Sequence, residues 1–572
     1  MSRKIIGAKA YDLEHIYPDE DSPLDYEGHG SHTSSTIAGT AVTNASLYGL
    51  GKGTARGGVP GARIAMYKVC YSIGCNDVNI LAAFDDALAD GVDLLSISLG
   101  GYSREFLSDS IAIGSFHAMK KGILTSCAAG NDGPNLYTIT NVAPWIFTVA
   151  ASSIDRKFST KIRLGNGFEI SGISANTFAP RKQMYPLISG DLASTGGEES
   201  IYYNASACKD GTLDKDKVKG KVVYCFGNLG QDGTIRDLGG AGAIFVTPGP
   251  LQVAGAYLLP ASPVLTKDGR TIDQYINSTK EPKAVIYKTR EIPMAAPHVA
   301  FFSSRGPPTP RVMRNILKPD ISAPGLNILA AYTKKVSITD LEGDNRFAPF
   351  NILSGTSMAC PHAAGAAAYV KSFHPEWSPA AIKSALMTTA TPMKFKDVEA
   401  ELASGSGQIN PTKAVHPGLV YDLSLSSYIR FLCKEGYNST TIGMLMGGKK
   451  RYKCSDFKPA RGSDGLNYPS MHTQLTPRGS IISATFYRTV THVEKGKSVY
   501  KATVTSPRGL SIEVVPSTLE FTRLNQKQSF KVVVKGSMEN GTHTLSALLQ
   551  WDDTKHTVRS PILIFRSYLP LF

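Results

Sequence analysis

"NDVNILAAFDDALADGVDLLSISLG", residues 76–100, changes its apolar period halfway along. Over the first part Val78, Leu81, Ala82, Phe84, Ala87 and Leu88 recur at helical spacing. "DLLSISLG" then follows as a short apolar run of strand length. Ahead of it, "ARIAMYKVC" (62–70) reads as a buried strand. Behind it, "DSIAIGSFHAMKKG" (109–122) and "ILTSCAAGN" (123–131) read as a helix and a third strand. Strand, helix, strand, helix, strand predicts one parallel sheet with helices on its faces. Ligands in such sheets sit beyond the carboxyl ends of the strands, which here are "SLGG" (98–101) and "AAGN" (128–131).

The pattern breaks after "IDRKFSTKIRLGNG" (154–167). Residues 185–290 carry short strands such as "KGKVVYCF" (219–226) and "GAGAIFVT" (240–247), the text of a small domain inserted into the first. From "FFSSRGP" (301–307) to "HPEWSPAAIKSALMTTA" (374–390) the chain is helix-rich again. Beyond about 465 it becomes all-β, with strand-like runs at 484–493, 498–506, 510–517, 529–536 and 546–553 that predict a sandwich.

A chain of 572 residues exceeds one compact core, so two to four domains are expected. The formal charge of +14 is scattered in short groups such as "GKKRYK" (448–453). It reads as a solvated basic surface, and not as a nucleic-acid site. Loose attraction to an acidic polysaccharide is compatible with it. The eight cysteines suggest three local bridges, Cys70–Cys75, Cys208–Cys225 and Cys433–Cys454, with no zinc-type spacing. Acceptor sequons at Asn44, Asn204, Asn277, Asn438 and Asn540 join them in pointing to a secreted, oxidising setting. "MSRKIIGAKAYD" (1–12) holds no apolar run of about 7–15 residues, so no signal peptide is read. No later stretch is long enough to span a bilayer. Secretory features without a secretory address lead to the expectation that the chain starts late.

"NILSGTSMACPHAAGAAAYV" (351–370) places Ser357 just after a glycine turn, at the start of a small-residue helix. Negative charge developing during acyl transfer is favoured there. A serine hydroxyl needs a base, and His29 of "GHGSHT" (28–33) offers one on a glycine-flanked turn. His29 and His32 are set aside as metal ligands, because i, i+3 suits a helix and this glycine-rich text reads as a turn. An α/β-hydrolase is excluded twice over: the text is G-T-S-M-A and not G-x-S-x-G, and the histidine precedes the serine.

In this order, "GHGSHT", "AAGN" and "SGTSMACPH" (354–362) resemble the subtilisin-type serine proteases. With "CAAGNDGP" (127–134), "SSRGP" (303–307) and "KPDISAPG" (318–325), the chain resembles the plant subtilases of the cucumisin type. The resemblance implies an α/β fold: a subtilisin-like parallel sheet flanked by helices. It also implies a protease-associated-like insertion and a C-terminal fibronectin III-like β-sandwich. The expected bounds are 1–165 and 291–425 for the catalytic domain, 185–290 for the insertion and 465–572 for the sandwich.

The same resemblance makes His29 the general base, Ser357 the nucleophile and Asn131 an oxyanion donor. Ser98, Leu99, Gly100 and Gly101 would pair with substrate backbone. His32 and His362 have no catalytic place in the pattern and are expected to be structural. Cys360 is expected to be a buried free thiol, and Asp12, Asp19, Asp21 and Asp25 to be loop charges. The D-T-G or D-S-G aspartate of the family has no match ahead of His29, so the strand that carries it inside the parallel sheet is expected to be missing and its neighbours to be left with unpaired backbone groups.

The expected activity is serine endopeptidase cleavage of protein or peptide substrates, with no cofactor and no metal ligand. Neither nucleic acid nor membrane is expected as a partner. A homodimer through the inserted domain is an assembly that the resemblance allows. The full-length protein is expected to be extracellular, in the apoplast or cell wall. The rival reading is an inactive, truncated homologue that acts as a binding protein. Lipase or esterase action is disfavoured by the peptide-pairing "SLGG" strand end.

Overall fold

The computed structural model describes residues 3–20, 22–72, 74–196, 204–227, 230–309, 312–393, 400–448 and 452–569. Asp21 and residues 449–451 of the basic group lie outside them. The centre is a parallel sheet of four strands: β3 (Leu94–Ile97), β4 (Leu124–Ala128), β5 (Ile146–Ser152) and β6 (Ile321–Pro324), side by side in that order. Every residue of β4 and β5 is buried, as a parallel strand covered on both faces requires. A separate pair joins β1 (Ile5–Ala10) to β2 (Ile64–Lys68), also in parallel.

The expectation of one continuous sheet through residues 64–128 is corrected here. Among the described residues β2 pairs with β1 and β3 pairs with β4, but β2 and β3 do not pair with each other. Each residue of both strands is only half-buried. Their apolar runs are those of interior strands, yet each has one edge without a ladder partner.

Helices α1 (His29–Ala38), α2 (Asp77–Asp90) and α3 (Ser110–Lys120) come from the first part of the chain. The second part supplies α4 (Thr356–Phe373) and α5 (Pro379–Thr388). α4 packs on β3, β4, β5 and β6, and α1 packs on α4. Asp109 caps α3, its carboxylate accepting from Ile111 N at 2.9 Å and Ala112 N at 3.1 Å. The inward face of α2 is Asn79, Ile80, Ala83, Phe84, Ala87 and Leu88. Val78 is exposed and Leu81 and Ala82 half-buried, because α2 packs on both α3 and β2, which turns the stripe by part of a turn.

The strands of residues 185–290 belong to an eight-stranded mixed sheet with its own core. That sheet also takes in Arg156–Leu164, Glu169–Gly172 and Arg290–Pro293, ahead of and just beyond the expected bounds. The C-terminal part is a sandwich. Its four-stranded sheet contains β7 (Ile481–His492), β8 (Leu510–Val515) and β9 (Lys527–Ser537), with Leu419–Val420 on the outer side of β7. A five-stranded sheet faces it, and Phe486, Phe530, Val532 and Trp551 fill the space between. The three expected disulfides are present, with S–S distances of 2.02, 2.05 and 2.10 Å, and Cys127 and Cys360 are free and buried.

Candidate active site

His29 is the first residue of α1, not part of a turn, so the reason given for setting aside a histidine pair on one helix face is corrected. The helix begins there because Asp25 caps it. One carboxylate oxygen accepts from Gly28 N at 2.7 Å and the other from Ser31 N at 2.7 Å. Gly28 itself stands at φ 90°, with the Tyr332 ring so near that a Cβ would lie 2.1 Å from its Cε2. Tyr332 donates its hydroxyl to Glu27 O at 2.8 Å, which closes the entry to the helix.

His32, one turn on, is fully buried, and its Nε2 hydrogen-bonds Ile328 O at 2.9 Å. Burial lowers its pKa to about 4, so it stays neutral. That ring is committed to the fold, which disposes of a metal pair on firmer ground than the turn argument. The pKa of His29 is also lowered, first by burial, with the Asp25 charge pulling the other way. Among the described residues no group hydrogen-bonds the His29 ring, a carboxylate included.

Ser357 is the second residue of α4 and half-buried. Its Oγ donates to Ser98 O at 3.3 Å, and the Ser98 Oγ donates to Ser357 O at 2.7 Å. The end of β3 is thereby stitched to the start of α4. Asn131 follows β4, and its side-chain oxygen accepts from Thr356 N at 2.8 Å and Thr356 Oγ1 at 2.9 Å. With the oxygen occupied, the amide nitrogen is the free end, 3.7 Å from where a Cβ on Gly355 would stand. The Gly130 N–H donates to the Thr356 hydroxyl at 3.2 Å.

Asn141 donates to both Leu99 O at 2.8 Å and Ala128 O at 2.7 Å, tying the two strand ends together. Gly100 passes so close to Thr140 that a Cβ would meet its Oγ1 at 2.8 Å, whereas Gly101 has open space around it.

Sequence reasoning missed Thr356, Asn141 and the Ser98 side chain as positioning residues. Their only signal was adjacency to the strand ends and the nucleophile. His362 is half-buried and bonds Met358 O through Nδ1 at 2.8 Å. Cys360 is fully buried, burial raises its pKa, and its thiol donates to Ser126 O at 3.3 Å. It is held as a protonated thiol. Asp12 accepts from Ile16 N and Tyr17 N within a turn. Among the described residues no three His, Cys, Asp or Glu side chains converge to hold a metal ion.

The structure puts a hydroxyl at a helix N-terminus and an amide with its oxygen already held at the carboxyl ends of β3 and β4, while the His29 imidazole, its pKa lowered by burial, opens α1, a helix packed on α4. Compared with known proteins, residues 6–410 match the subtilase family and residues 465–564 the fibronectin type-III domain. Similar relatives are three subtilisin-like proteases of Arabidopsis thaliana. SBT4.15 is 57% identical over 99% of this chain and 76% of its own length. SBT4.14 is 52% identical over 99% and 75%, and SBT4.3 is 47% identical over 99% and 76%.

Proposed function

The chain belongs to the subtilase family and is a serine endopeptidase, and from that premise we propose that Ser357, His29 and Asn131 carry its chemistry. Ser357 Oγ attacks the scissile carbonyl carbon while its proton passes to His29. The carbonyl oxygen becomes an oxyanion, received by the Asn131 amide and the Ser357 N–H at the positive end of α4. His29 then delivers its proton to the departing amine as the C–N bond breaks, which leaves an acyl-enzyme. Water repeats the sequence and frees the acid. Loss of one oxyanion donor of this kind typically costs ~3 kcal/mol, about a hundredfold in rate. Ser98 to Gly101 would offer the substrate backbone an added-strand edge.

The observation that carries this reading is the fixing of Asn131 by both donors of Thr356, which leaves its N–H end beside the nucleophile. The rival, a non-catalytic binding homologue, has no need of that constraint. Two further readings follow. The eight-stranded insertion is a protease-associated-like module, supported by its separate sheet and core. The setting is extracellular, supported by three disulfides and by four sequon asparagines, Asn44, Asn277, Asn438 and Asn540, lying exposed. Among the described residues no helix is long and apolar enough to cross a membrane.

The resemblance expects an aspartate beside His29, and triad enzymes that lack it fall about four orders of magnitude in turnover. A mechanism-based label is therefore a better readout than turnover. Incubation with a fluorophosphonate, followed by peptide mass spectrometry, should place the adduct on Ser357 alone. Ser357→Ala should abolish it. An adduct elsewhere, or one that survives Ser357→Ala, would overturn the assignment.

A further inference from the structure

The outer face of the β7–β9–β8 sheet carries a row of cations that outnumber the acidic side chains beside them. β9 is the middle strand, paired with β7 on one side and β8 on the other. One parity of its residues, Phe530, Val532 and Val534, enters the core. The other parity turns outward as Lys527, Ser529, Lys531, Val533 and Lys535. Lysines four apart on one strand stand ~13 Å apart on the same face. Lys531 is flanked by Tyr487 on β7 and Val515 on β8, and Lys535 by Ser483 and Ser511. Beside them the Arg461 guanidinium lies over the Tyr487 ring, 4.1 Å from its centroid.

Among the described residues none of Lys527, Lys531, Lys535 and Arg461 forms an ion pair, whereas Lys9, Arg104 and Lys161 elsewhere do. Glu513 is the one acidic side chain that the three strands turn to this face. Glu513 stands opposite Val533, between Lys531 and Lys535, and one carboxylate beside four cations leaves the face with a net positive charge that a polyanion would neutralise. Contact with the Tyr487 ring lowers the ordering cost of the Arg461 side chain, whose N–H fork can pair with a carboxylate. Hydroxyls of Ser483, Ser511, Ser529 and Thr489 lie between the cations and can bond a polyol.

We propose that this face binds a linear polyuronate, an acidic polysaccharide whose regularly spaced carboxylates run along β9 and end on Arg461. The choice of glycan over other polyanions rests on the extracellular setting proposed above. The binding itself does not depend on the peptidase chemistry, so the two readings fail separately. The test is retention of the intact chain on immobilised polygalacturonate, with fully methyl-esterified galacturonan, duplex DNA and anionic phospholipid vesicles as comparisons.

Polygalacturonate should bind best, with salt weakening it. The double substitution Lys531→Glu/Lys535→Glu should weaken binding at least about tenfold. Lys267→Glu/Lys280→Glu, two exposed lysines of the inserted domain with the same charge change, should leave it unaltered. Unchanged thermal unfolding of both variants would exclude misfolding as the cause. Equal loss in both variants would mean that net charge alone is read. That result, or equal retention on the esterified polymer, or preference for DNA or vesicles, would overturn the proposal.

Discussion

His29 and His32 are three positions apart, and surroundings alone separate their roles. His32 has no exposure and a ring nitrogen bonded to Ile328 O, so protonating it would strip a buried group of its solvation. His29 keeps partial access, and the Asp25 charge opposes the effect of burial on it. A lowered imidazole pKa means that the neutral, proton-accepting form persists to lower pH than for an ordinary histidine. Asp25→Asn removes the charge that favours the imidazolium, so the His29 pKa should fall further. The acid limb of fluorophosphonate labelling against pH should then move to lower pH. A helix-cap loss of about 1 kcal/mol in stability should accompany it. A limb that stays put, or moves up, would show that the Asp25 charge does not act on His29. His29, Ser357 and Asn131, the residues proposed for the chemistry, stand out in the sequence because each lies within two positions of a glycine in a distinctive local text. Thr356 does not, because its work is done on Asn131, 225 residues away in the chain.

At the scale of the element, α1 shows how a helix escapes sequence reading. "HGSHTSSTIA" has no apolar stripe, and its glycine, serines and threonines individually favour turns. It is a helix because Asp25 caps its start and α4 supplies the surface it packs on. Gly28 is the joint that both conditions require, at positive φ and in contact with Tyr332. Gly28→Ala combines left-handed strain with displacement of a ring that is hydrogen-bonded to Glu27. It should cost about 2–3 kcal/mol and slow labelling of Ser357 by moving His29. Urea unfolding measures the first effect and labelling rate the second. A variant with an unchanged midpoint would mean that Tyr332 yields freely. Strands β3 and β4 were legible because their apolar runs are short and follow clear helical text. The break between β2 and β3 could not be read from the strands themselves and was suggested only by the missing aspartate motif, since a run of apolar residues reports what a strand is built to be buried in, and pairing is decided by neighbours that the run does not name.

Across the whole molecule, the catalytic sheet and the C-terminal sandwich meet on a buried ionic cluster that no sequence pattern announced. Asp320, just before β6, accepts from Lys318 Nζ at 2.8 Å and lies 3.1 Å from Lys383 Nζ on α5. Tyr468, from the segment that leads into the sandwich, donates to the other oxygen of Asp320 and is itself bonded by Lys383. All four side chains are buried. Burial drives the Lys383 pKa well down, and it alone would raise that of Asp320, but the two lysines outweigh it and leave the carboxyl below its usual range. For Lys383 the protonated form is the one that burial penalises. Stability linked to it is therefore least below its folded pKa and grows as pH rises toward the ordinary lysine value. Asp320 moves stability in the same direction but in a lower pH window, contributing above the ordinary carboxyl range and losing that contribution as pH falls through its lowered pKa. The two substitutions at this joint should therefore be unequal. Asp320→Asn strands two buried lysines and should cost about 3–5 kcal/mol, whereas Lys383→Met leaves a matched Lys318–Asp320 pair and should cost much less. If the carboxylate's main task is to neutralise the lysines, the double variant should also be more stable than Asp320→Asn alone, since it buries one uncompensated charge fewer. Urea midpoints of the three variants at neutral pH decide it. Equal losses for the two single variants would mean that the cluster holds the domains by shape and hydrogen bonds, with its charges contributing nothing.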